Sequence, residues 1–270
     1  MFIATEKKRL RFGSAVVDVV TKADVLLRVR EFLRSDRSSP ALIVPVNAQL
    51  VHLAEKQPRF AAILERADLC LADGFPLVAA SRLMESRLAE RIPGVDLAVD
   101  LCRLLEQEGG SVYLFGGRVG AAHATAEVLQ TRFPSLRIVG ADCPPFQFET
   151  TLAAAQSALQ KIHAARPDLL LVGLGAPKQE YWMEDSFADL PCKVVMGVGG
   201  TFDILSGQVR RAPIWMQICG MEWFFRLCME PRRLWRRYVV GNSFFIWLVL
   251  MQTAGQLFDV NRNLKVKAVR

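Results

Sequence analysis

The amino-acid sequence predicts an α/β fold: a mostly parallel sheet with helices on both faces, followed by a helical C-terminal appendage. Short apolar runs alternate with amphipathic segments of helical period over the first three quarters of the chain. This alternation is typical of repeated strand–helix units. The runs are almost uniformly apolar, as expected for parallel strands buried on both faces. The composition changes near residue 207, where the appendage is predicted to begin.

Seven apolar runs are the predicted strands. They are SAVVDVV (14–20), ALIVPV (41–46), LCLAD (69–73), SVYLFG (111–116), LRIVGA (136–141), DLLLVGLG (168–175) and KVVMGVGG (193–200). The helix over 21–33 opens with Thr21 and Asp24 at capping-box spacing. Further helices are predicted over 48–67 (around Pro58), 94–109, 120–133 and 150–165.

The net excess of positive charge lies in the C-terminal quarter of the chain. The 270 residues carry a net charge of +7. Residues 1–206 hold 23 Lys or Arg against 24 Asp or Glu, whereas residues 207–270 hold 11 against 3. Such asymmetry predicts a surface that meets phosphates, of nucleic acid or of anionic lipid. We therefore expect a core of residues 1–206 and a basic appendage of residues 207–270.

Within the appendage, a cluster of arginines (Arg232, Arg233, Arg236 and Arg237) leads into the nearly uncharged segment 238–251. About 14 apolar residues are too few to span a bilayer, but they fit an amphipathic element lying at a membrane surface. A buried C-terminal helix pair, or a dimer interface with solvated arginines, is the alternative. A nucleic-acid-binding module would interleave basic and aromatic residues. The run FFIWLVLM suits lipid better, so no nucleic-acid partner is expected.

The six cysteines are scattered, without a CxxC pair, and most lie in apolar runs. This usage is typical of free thiols in a reducing compartment. The first residues lack the apolar core of a signal peptide, and the expected location is cytoplasmic. The three histidines lie in helical patterns without metal-ligand spacing, so no role is predicted for them.

Polar or glycine-rich groups follow five predicted strands, at the edge where parallel sheets bind ligands. They are Asn47, Asp73 with Gly74, Gly116 with Gly117, the segment APKQEYW (176–182) and the segment TFDILSG (201–207). Glycine after a strand lets the backbone approach a phosphate. Each group also has a purely structural interpretation. FGGRVG fits a tight turn, Asp73 a cap of the next helix, Gln179 and Glu180 a solvated helical turn, and Asp203 a turn residue.

Several segments together resemble the WecG/TagA/CpsF family of bacterial glycosyltransferases (glycosyltransferase family 26). In order they are LADGFPLV, RIPGVDL, VYLFGG, PDLLLVGLGAPKQEYW, GVGGTFDILSGQVRRAPIWM, GMEWFFRLCMEPRRLWRRY and the apolar ending, between about residues 12 and 250. The resemblance implies a Rossmann-like core that uses a UDP-sugar donor. It also implies inverting transfer to a polyprenyl-diphosphate-linked sugar at the cytoplasmic membrane face, for teichoic acid linkages, enterobacterial common antigen or exopolysaccharide.

The resemblance also implies roles for individual residues. Asp73 matches the proposed catalytic base, Asn47 a residue near the reacting sugar, Arg91 and Gln179 active-site polar groups, and Asp203 a uridine contact. The other expected substrate-binding residues are Gly74, Gly116, Gly117, Lys178, Gly199, Arg226, Arg233 and Arg237. Two positions before the Asn the family often carries Thr, where this sequence has Pro45. The sugar preference of the Thr-bearing members is therefore not carried over.

Inverting transfer needs one base to take the proton of the acceptor hydroxyl. No DxD-like pair occurs at a matching place, so we expect a metal-independent reaction in which cations and backbone donors stabilise the leaving diphosphate. The sugar stays open among glucose, glucuronic acid, N-acetylmannosamine and its uronic acid, with a slight inclination towards exopolysaccharide. An exposed apolar tail would favour a homo-oligomer when no membrane is present.

Two rival functions fit the sequence less well. A nucleotide-dependent oxidoreductase on a similar fold requires GxGxxG in its first strand–helix unit, and residues 14–25 hold no such glycines. A non-catalytic membrane-associated protein leaves Asp73, Arg91, Gln179 and Asp203 without a purpose.

Overall fold

The structure, a computed structural model, describes residues 8–84, 86–145 and 147–267. The side chains of residues 149, 233, 236–238 and 255–267 lie outside this description. Two predicted substrate-binding side chains, those of Arg233 and Arg237, are therefore outside the described residues.

Six parallel strands form the central sheet, in the order β4-β3-β8-β7-β5-β6. They are β3 (Ala41–Val46), β4 (Leu69–Ala72), β5 (Ser111–Gly116), β6 (Arg137–Asp142), β7 (Leu169–Gly173) and β8 (Val194–Gly197). Each lies within a predicted strand or differs from it by a residue or two. The predicted α/β class with a parallel sheet is confirmed.

Helices cover both faces because each strand presents apolar side chains to both sides. In β7, Leu169 and Leu171 belong to one apolar cluster, and Leu170 and Val172 to the other. The helices on the first face are α1 (Lys22–Arg34), α5 (Gly94–Glu108), α6 (Ala121–Arg132) and α9 (Thr201–Leu205). Those on the second are α2 (Ala48–Lys56), α3 (Pro58–Arg66), α4 (Phe75–Ser81), α7 (Leu152–Ala165) and α8 (Lys178–Asp185).

The first predicted strand forms outside the main sheet. The strand β2 (Ala15–Asp18) pairs antiparallel with β1 (Arg9–Phe12), which the sequence analysis did not predict. The buried carboxylate of Asp18 accepts a hydrogen bond from the Cys70 backbone N–H at 2.6 Å, and so fastens this hairpin beside β4. The pattern of residues 14–25 is therefore not the first strand–helix unit of the parallel sheet.

Helix boundaries follow the sequence signals. The predicted capping box at Thr21 and Asp24 is present, with both reciprocal hydrogen bonds made. Pro58 divides the predicted helix over 48–67, because α2 ends at Lys56 and α3 starts with the proline as its first residue. Proline is suited to that position, since the first helical N–H has no intrahelical partner.

Three helices follow the core: α10 (Ile214–Ile218), α11 (Glu222–Met229) and α12 (Pro231–Lys267). Helix α12 packs on α2 and on the hairpin, where the ring of Phe245 lies 5.6 Å from that of Phe12. The side chain of Gln252 accepts from the Gly13 N–H and donates to the Arg11 carbonyl, which ties α12 to the hairpin. Across the residues that the structure describes, none of the helices has both the length and the hydropathy to cross a bilayer.

Candidate active site

A cavity of about 220 Å³ lies at the carboxyl ends of β3, β4, β7 and β8, with α11 closing one side. This is the edge where open parallel sheets bind their ligands. Seven predicted site residues line the cavity: Asn47, Asp73, Gly74, Arg91, Gln179, Gly199 and Arg226. Loops that are far apart in sequence thus converge on one space.

Asp73 follows β4 and is partly buried. One oxygen of its carboxylate accepts a hydrogen bond from the N–H of Gly94, the first residue of α5, at 2.8 Å. The cap interpretation placed this bond on the next helix, but the N-cap of α4 is Gly74 and makes no side-chain bond. Asp73 is therefore held at the cavity wall by the more distant α5.

Asn47 follows β3 and is the N-cap of α2. Its side-chain oxygen accepts from the N–H groups of Gln49 and Leu50 at 3.1 and 3.2 Å. These bonds satisfy two helical N–H groups and fix the side chain. Because its oxygen is engaged, Asn47 offers a cavity ligand its amide NH₂ group.

Gln179, in the first turn of α8, is almost fully buried. Its amide oxygen accepts from the N–H groups of Gly175 and Gly199 at 3.2 and 3.0 Å, and its NH₂ donates to Glu180 at 2.8 Å. The interpretation of Gln179 and Glu180 as a solvated turn is therefore wrong. Gln179 joins the turns after β7 and β8 and so shapes the cavity floor.

Two guanidinium groups border the cavity. Arg91 lies in the loop before α5, with its Nη1 at 3.6 Å from the carboxylate of Glu222. Arg226 comes from α11, and its Nε is buried without a hydrogen-bond partner among the described residues. Its Nη2 lies beside the backbone of Gly200, where an added Cβ would be 3.4 Å away. Two positive groups thus flank a space that glycine leaves open.

Four predicted site residues lie off the cavity wall. The backbone of Gly116 packs directly on Gly173, and Gly117 packs on Phe202. Asp203 accepts a hydrogen bond from the N–H of Arg118 at 3.0 Å. The ammonium of Lys178 lies over the ring of Phe148, 5.4 Å from its centre. Within the described residues, no three His, Cys, Asp or Glu side chains converge as a metal-binding group.

The chain matches the sequence model of the "Glycosyl transferase WecG/TagA/CpsF family" over residues 10–258. It belongs to this family. The predicted resemblance is confirmed, and the protein is an enzyme, a glycosyltransferase.

Two curated relatives carry the same name, N-acetylglucosaminyldiphosphoundecaprenol N-acetyl-beta-D-mannosaminyltransferase. The Bacillus subtilis protein is 32% identical over 202 residues, which cover 75% of this chain and 76% of the relative. The Bacillus spizizenii protein is 33% identical over 236 residues, which cover 85% of this chain and 89% of the relative. The similarity therefore extends through the core and into the appendage.

Several cavity-lining residues were not predicted from the sequence, among them Glu222 and Trp223 of α11, Gln49, Thr201 and Asn242. One signal was available, since Glu222 and Arg226 are four residues apart in a helical pattern and share a face. Nothing in that pattern indicated that the face would turn towards β3 and β4.

Proposed function

We propose that the protein transfers a sugar, with inversion, from a UDP-sugar to a polyprenyl-diphosphate-linked saccharide in the synthesis of bacterial surface polysaccharide. One observation carries the proposal: a carboxylate, Asp73, shares a single cavity with two guanidinium groups, those of Arg91 and Arg226. Such a site can deprotonate a hydroxyl and neutralise a diphosphate at the same time. The family membership and the names of both relatives support this class of reaction.

Asp73 is the base in this proposal. Its carboxylate is partly buried and held by the Gly94 N–H, so that it has a defined position beside the space for the acceptor. It takes the proton of the acceptor hydroxyl while that oxygen attacks the anomeric carbon, and UDP leaves from the opposite side. Asn47, with its amide NH₂ group, contacts the reacting sugar.

Arg226 and Arg91 bind the diphosphate of the donor. Arginine suits this task because its planar fork of N–H donors matches phosphate oxygens. The charge on UDP grows as the glycosidic bond breaks, so cations placed in advance stabilise the transition state more than the ground state. With these two groups we propose a metal-independent reaction.

The appendage, residues 207–270, docks the enzyme on the inner face of the cytoplasmic membrane in this proposal. Large apolar side chains are exposed on its helices, among them Ile214, Trp215 and Ile218 of α10 and Ile246, Trp247 and Leu250 of α12. The same segment carries 11 basic residues against 3 acidic ones. Apolar insertion combined with attraction to anionic lipid is how interfacial helices bind membranes.

The first experiment measures sugar transfer by the purified protein. A synthetic polyprenyl-diphosphate-linked N-acetylglucosamine serves as acceptor, because both relatives are named for such a substrate. UDP-N-acetylmannosamine, its uronic acid, UDP-glucose and UDP-glucuronic acid serve as donors, with and without EDTA. We expect one donor to give a glycosylated lipid and free UDP at the same rate in EDTA. If no donor is consumed and the folded protein binds neither UDP nor UDP-sugars in calorimetry, the proposal is wrong.

Calorimetry with UDP also tests Asp203, the predicted uridine contact. We expect Asp203→Ala to weaken UDP binding, and NADH to give no heat with either protein. Unchanged UDP affinity in the variant would remove Asp203 from the donor site.

Sedimentation with lipid vesicles tests the membrane proposal. Ile214→Glu and Leu152→Glu are a matched pair, because both side chains are 74% exposed but only Ile214 belongs to the appendage. We expect binding to phosphatidylglycerol vesicles to fall several-fold with Ile214→Glu and to stay unchanged with Leu152→Glu. Equal binding by both variants and the wild type would contradict docking through α10.

A further inference from the structure

Glu222, the first residue of α11, lies between two arginines. Its carboxylate is 3.6 Å from Nη1 of Arg91 and 3.6 Å from Nε of Arg211, and its side chain is only 18% exposed. Both distances exceed that of a hydrogen bond. Glu222 therefore attracts two cations by charge and leaves the donor groups of Arg91 available to a ligand in the cavity.

Arg211 is fixed by its other partner. Its Nη1 and Nη2 donate to the two carboxylate oxygens of Asp96, in the first turn of α5, at 2.6 and 2.8 Å. This paired geometry is the strongest that arginine forms with a carboxylate. The hydrogen bonds and charge of Asp96 raise the pKa of Arg211 against the opposing effect of burial. The ion pairs thus connect Asp96 of α5, through Arg211, to Glu222 and Arg91. The hydrogen-bonded pair of Arg211 with Asp96 attaches this series to the core.

Arg226 lies on the same helix as Glu222. Glu222 and Arg226 are four residues apart on α11, so they share one helical face, and both line the cavity. The buried Nε of Arg226 has no hydrogen-bond partner among the described residues. The position of this guanidinium therefore depends on how α11 is held against the core. Glu222 links the start of α11 to the core by ion pairs, and Glu230, the C-cap of α11, pairs with Arg118 at the other end.

We propose that Glu222 is a positioning residue for sugar transfer. Its ion pairs with Arg91 and Arg211 fix α11 against the core and hold the guanidinium groups of Arg91 and Arg226 on the cavity wall. This inference rests on the proposed function, in which those two groups stabilise the leaving diphosphate. Glu222 itself touches no reacting atom.

The two kinetic constants separate this role from a general structural one. A carboxylate beside a diphosphate site repels the donor, so its removal alone would strengthen donor binding. Misplaced cations, in contrast, stabilise the transition state less. For Glu222→Gln we therefore expect kcat to fall about tenfold, as for a loss of precise orientation, while the KM for the donor does not rise. A structural defect would raise KM and lower the thermal midpoint.

Glu184→Gln is the matched control. The carboxylate of Glu184 also pairs with two arginines, Arg59 and Arg66, and its side chain is 19% exposed. Glu184 does not line the cavity. We expect Glu184→Gln to keep the wild-type kcat and to have a thermal midpoint similar to that of Glu222→Gln. Glu222→Asp keeps the charge on a shorter side chain and should recover part of the lost kcat.

A double variant tests whether Glu222 acts through Arg91. If it does, Arg91→Met and Glu222→Gln together will be little worse than Arg91→Met alone. Fully additive losses with Arg91→Met and also with Arg226→Met would overturn the inference, and so would a kcat for Glu222→Gln equal to that of Glu184→Gln. If Glu222→Gln does not fold, Glu222→Asp takes its place in the test. The inference would then be overturned if Glu222→Asp had the kcat of the wild type together with a raised KM for the donor. A folded wild-type protein that neither transfers sugar nor binds UDP or UDP-sugars would overturn the proposed function itself, whereas an active one isolates the role of Glu222.

Discussion

The carboxyl edge of the sheet has two halves, the ends of β4, β3, β8 and β7 and the ends of β5 and β6, which have similar sequence motifs but different structures. At the ends of β3, β4, β7 and β8, polar side chains surround an open cavity. At the end of β5, Gly116 and Gly117 pack against Gly173 and Phe202, which occupy the positions where their Cβ atoms would project. Glycine or a carboxylate after a strand is therefore insufficient evidence for a site. The difference is whether neighbouring backbone or side-chain atoms occupy the position where the Cβ of a larger residue would lie.

The carboxylates of the two halves show the same contrast. Asp142, at the end of β6, accepts hydrogen bonds from the hydroxyl of Tyr113 and, at 2.6 Å, from the ammonium of Lys161. Burial, together with the bond to Asp142 and its charge, raises the pKa of Tyr113. Both carboxylate oxygens of Asp142 are thus occupied by hydrogen bonds to Tyr113 and Lys161. Asp73 is bound through one oxygen only in the described hydrogen bonds, and it faces the cavity.

Replacing each of these carboxylates by its amide should give the largest difference in activity between the two regions. Asp73→Asn removes the proposed base, so we expect the rate of sugar transfer to fall about 100-fold or more, with UDP binding retained. Asp142→Asn should leave transfer within a few-fold of the wild type. Steady-state transfer rates and UDP calorimetry on both variants provide the test. Similar rates for the two variants would remove Asp73 from the role of base.

A second pair of variants compares the cations of the two halves. Arg226→Met should lower kcat/KM about 10- to 100-fold, because it removes the proposed donor to the leaving diphosphate. Lys161→Met removes a cation that pairs with Asp142 and should change kcat/KM little. Both proteins are assayed with the same donor and acceptor, and their thermal midpoints are recorded. If Arg226→Met keeps its rate, the diphosphate is neutralised elsewhere.

The core could be predicted from the sequence because its strands carry an unambiguous signal. Uniformly apolar runs of four to eight residues, separated by amphipathic segments, permit few structures other than a buried parallel sheet. The strand β1, RLRF, was missed because four alternating residues with two arginines are a weak signal. The placement of β2 could not be predicted either, since it depends on the bond from Cys70 to Asp18.

The candidate site was predictable in part. The strand ends indicated Asn47 and Asp73, because carboxyl ends of parallel strands converge. They could not decide between Lys178 and Gln179, since adjacent helical residues point about 100° apart and either could face the cavity. The structure turns Gln179 inward and Lys178 onto Phe148. Glu222 required knowledge of how α11 packs on the core, which no local pattern contains.

Two glycines allow the two regions to be compared by the stability of the folded protein. Both have positive φ, 113° at Gly116 and 54° at Gly199. A Cβ at Gly116 would lie 2.7 Å from the carbonyl carbon of Gly173, whereas at Gly199 it would meet nothing within 4 Å. We expect Gly116→Ala to lower the free energy of unfolding by about 3 kcal/mol or more, and Gly199→Ala by about 1 kcal/mol. Urea unfolding of both variants measures the difference. Equal losses would mean that the β5 turn is less tightly filled than the structure indicates.

The smallest expected effect is a pH dependence that the two halves share. Burial disfavours the charged forms of Asp96 and Asp142. The hydrogen bonds and charge of Arg211 nevertheless hold the pKa of Asp96 below its usual range. The hydrogen bonds of Lys161 and Tyr113, with the charge of Lys161, do the same for the pKa of Asp142. A carboxyl whose pKa is lower in the folded state stabilises the protein above its unfolded pKa, about 3.9 for Asp. That stabilisation disappears as the pH falls through the folded value.

The side chain of Asp96 is 41% exposed, so solvent screening keeps its contribution below about 1 kcal/mol. Unfolding free energies at pH 7 should therefore favour the wild type over Asp96→Asn and over Asp142→Asn by small amounts. Both differences should shrink at pH 3, whereas a difference that persists there would come from packing and not from charge.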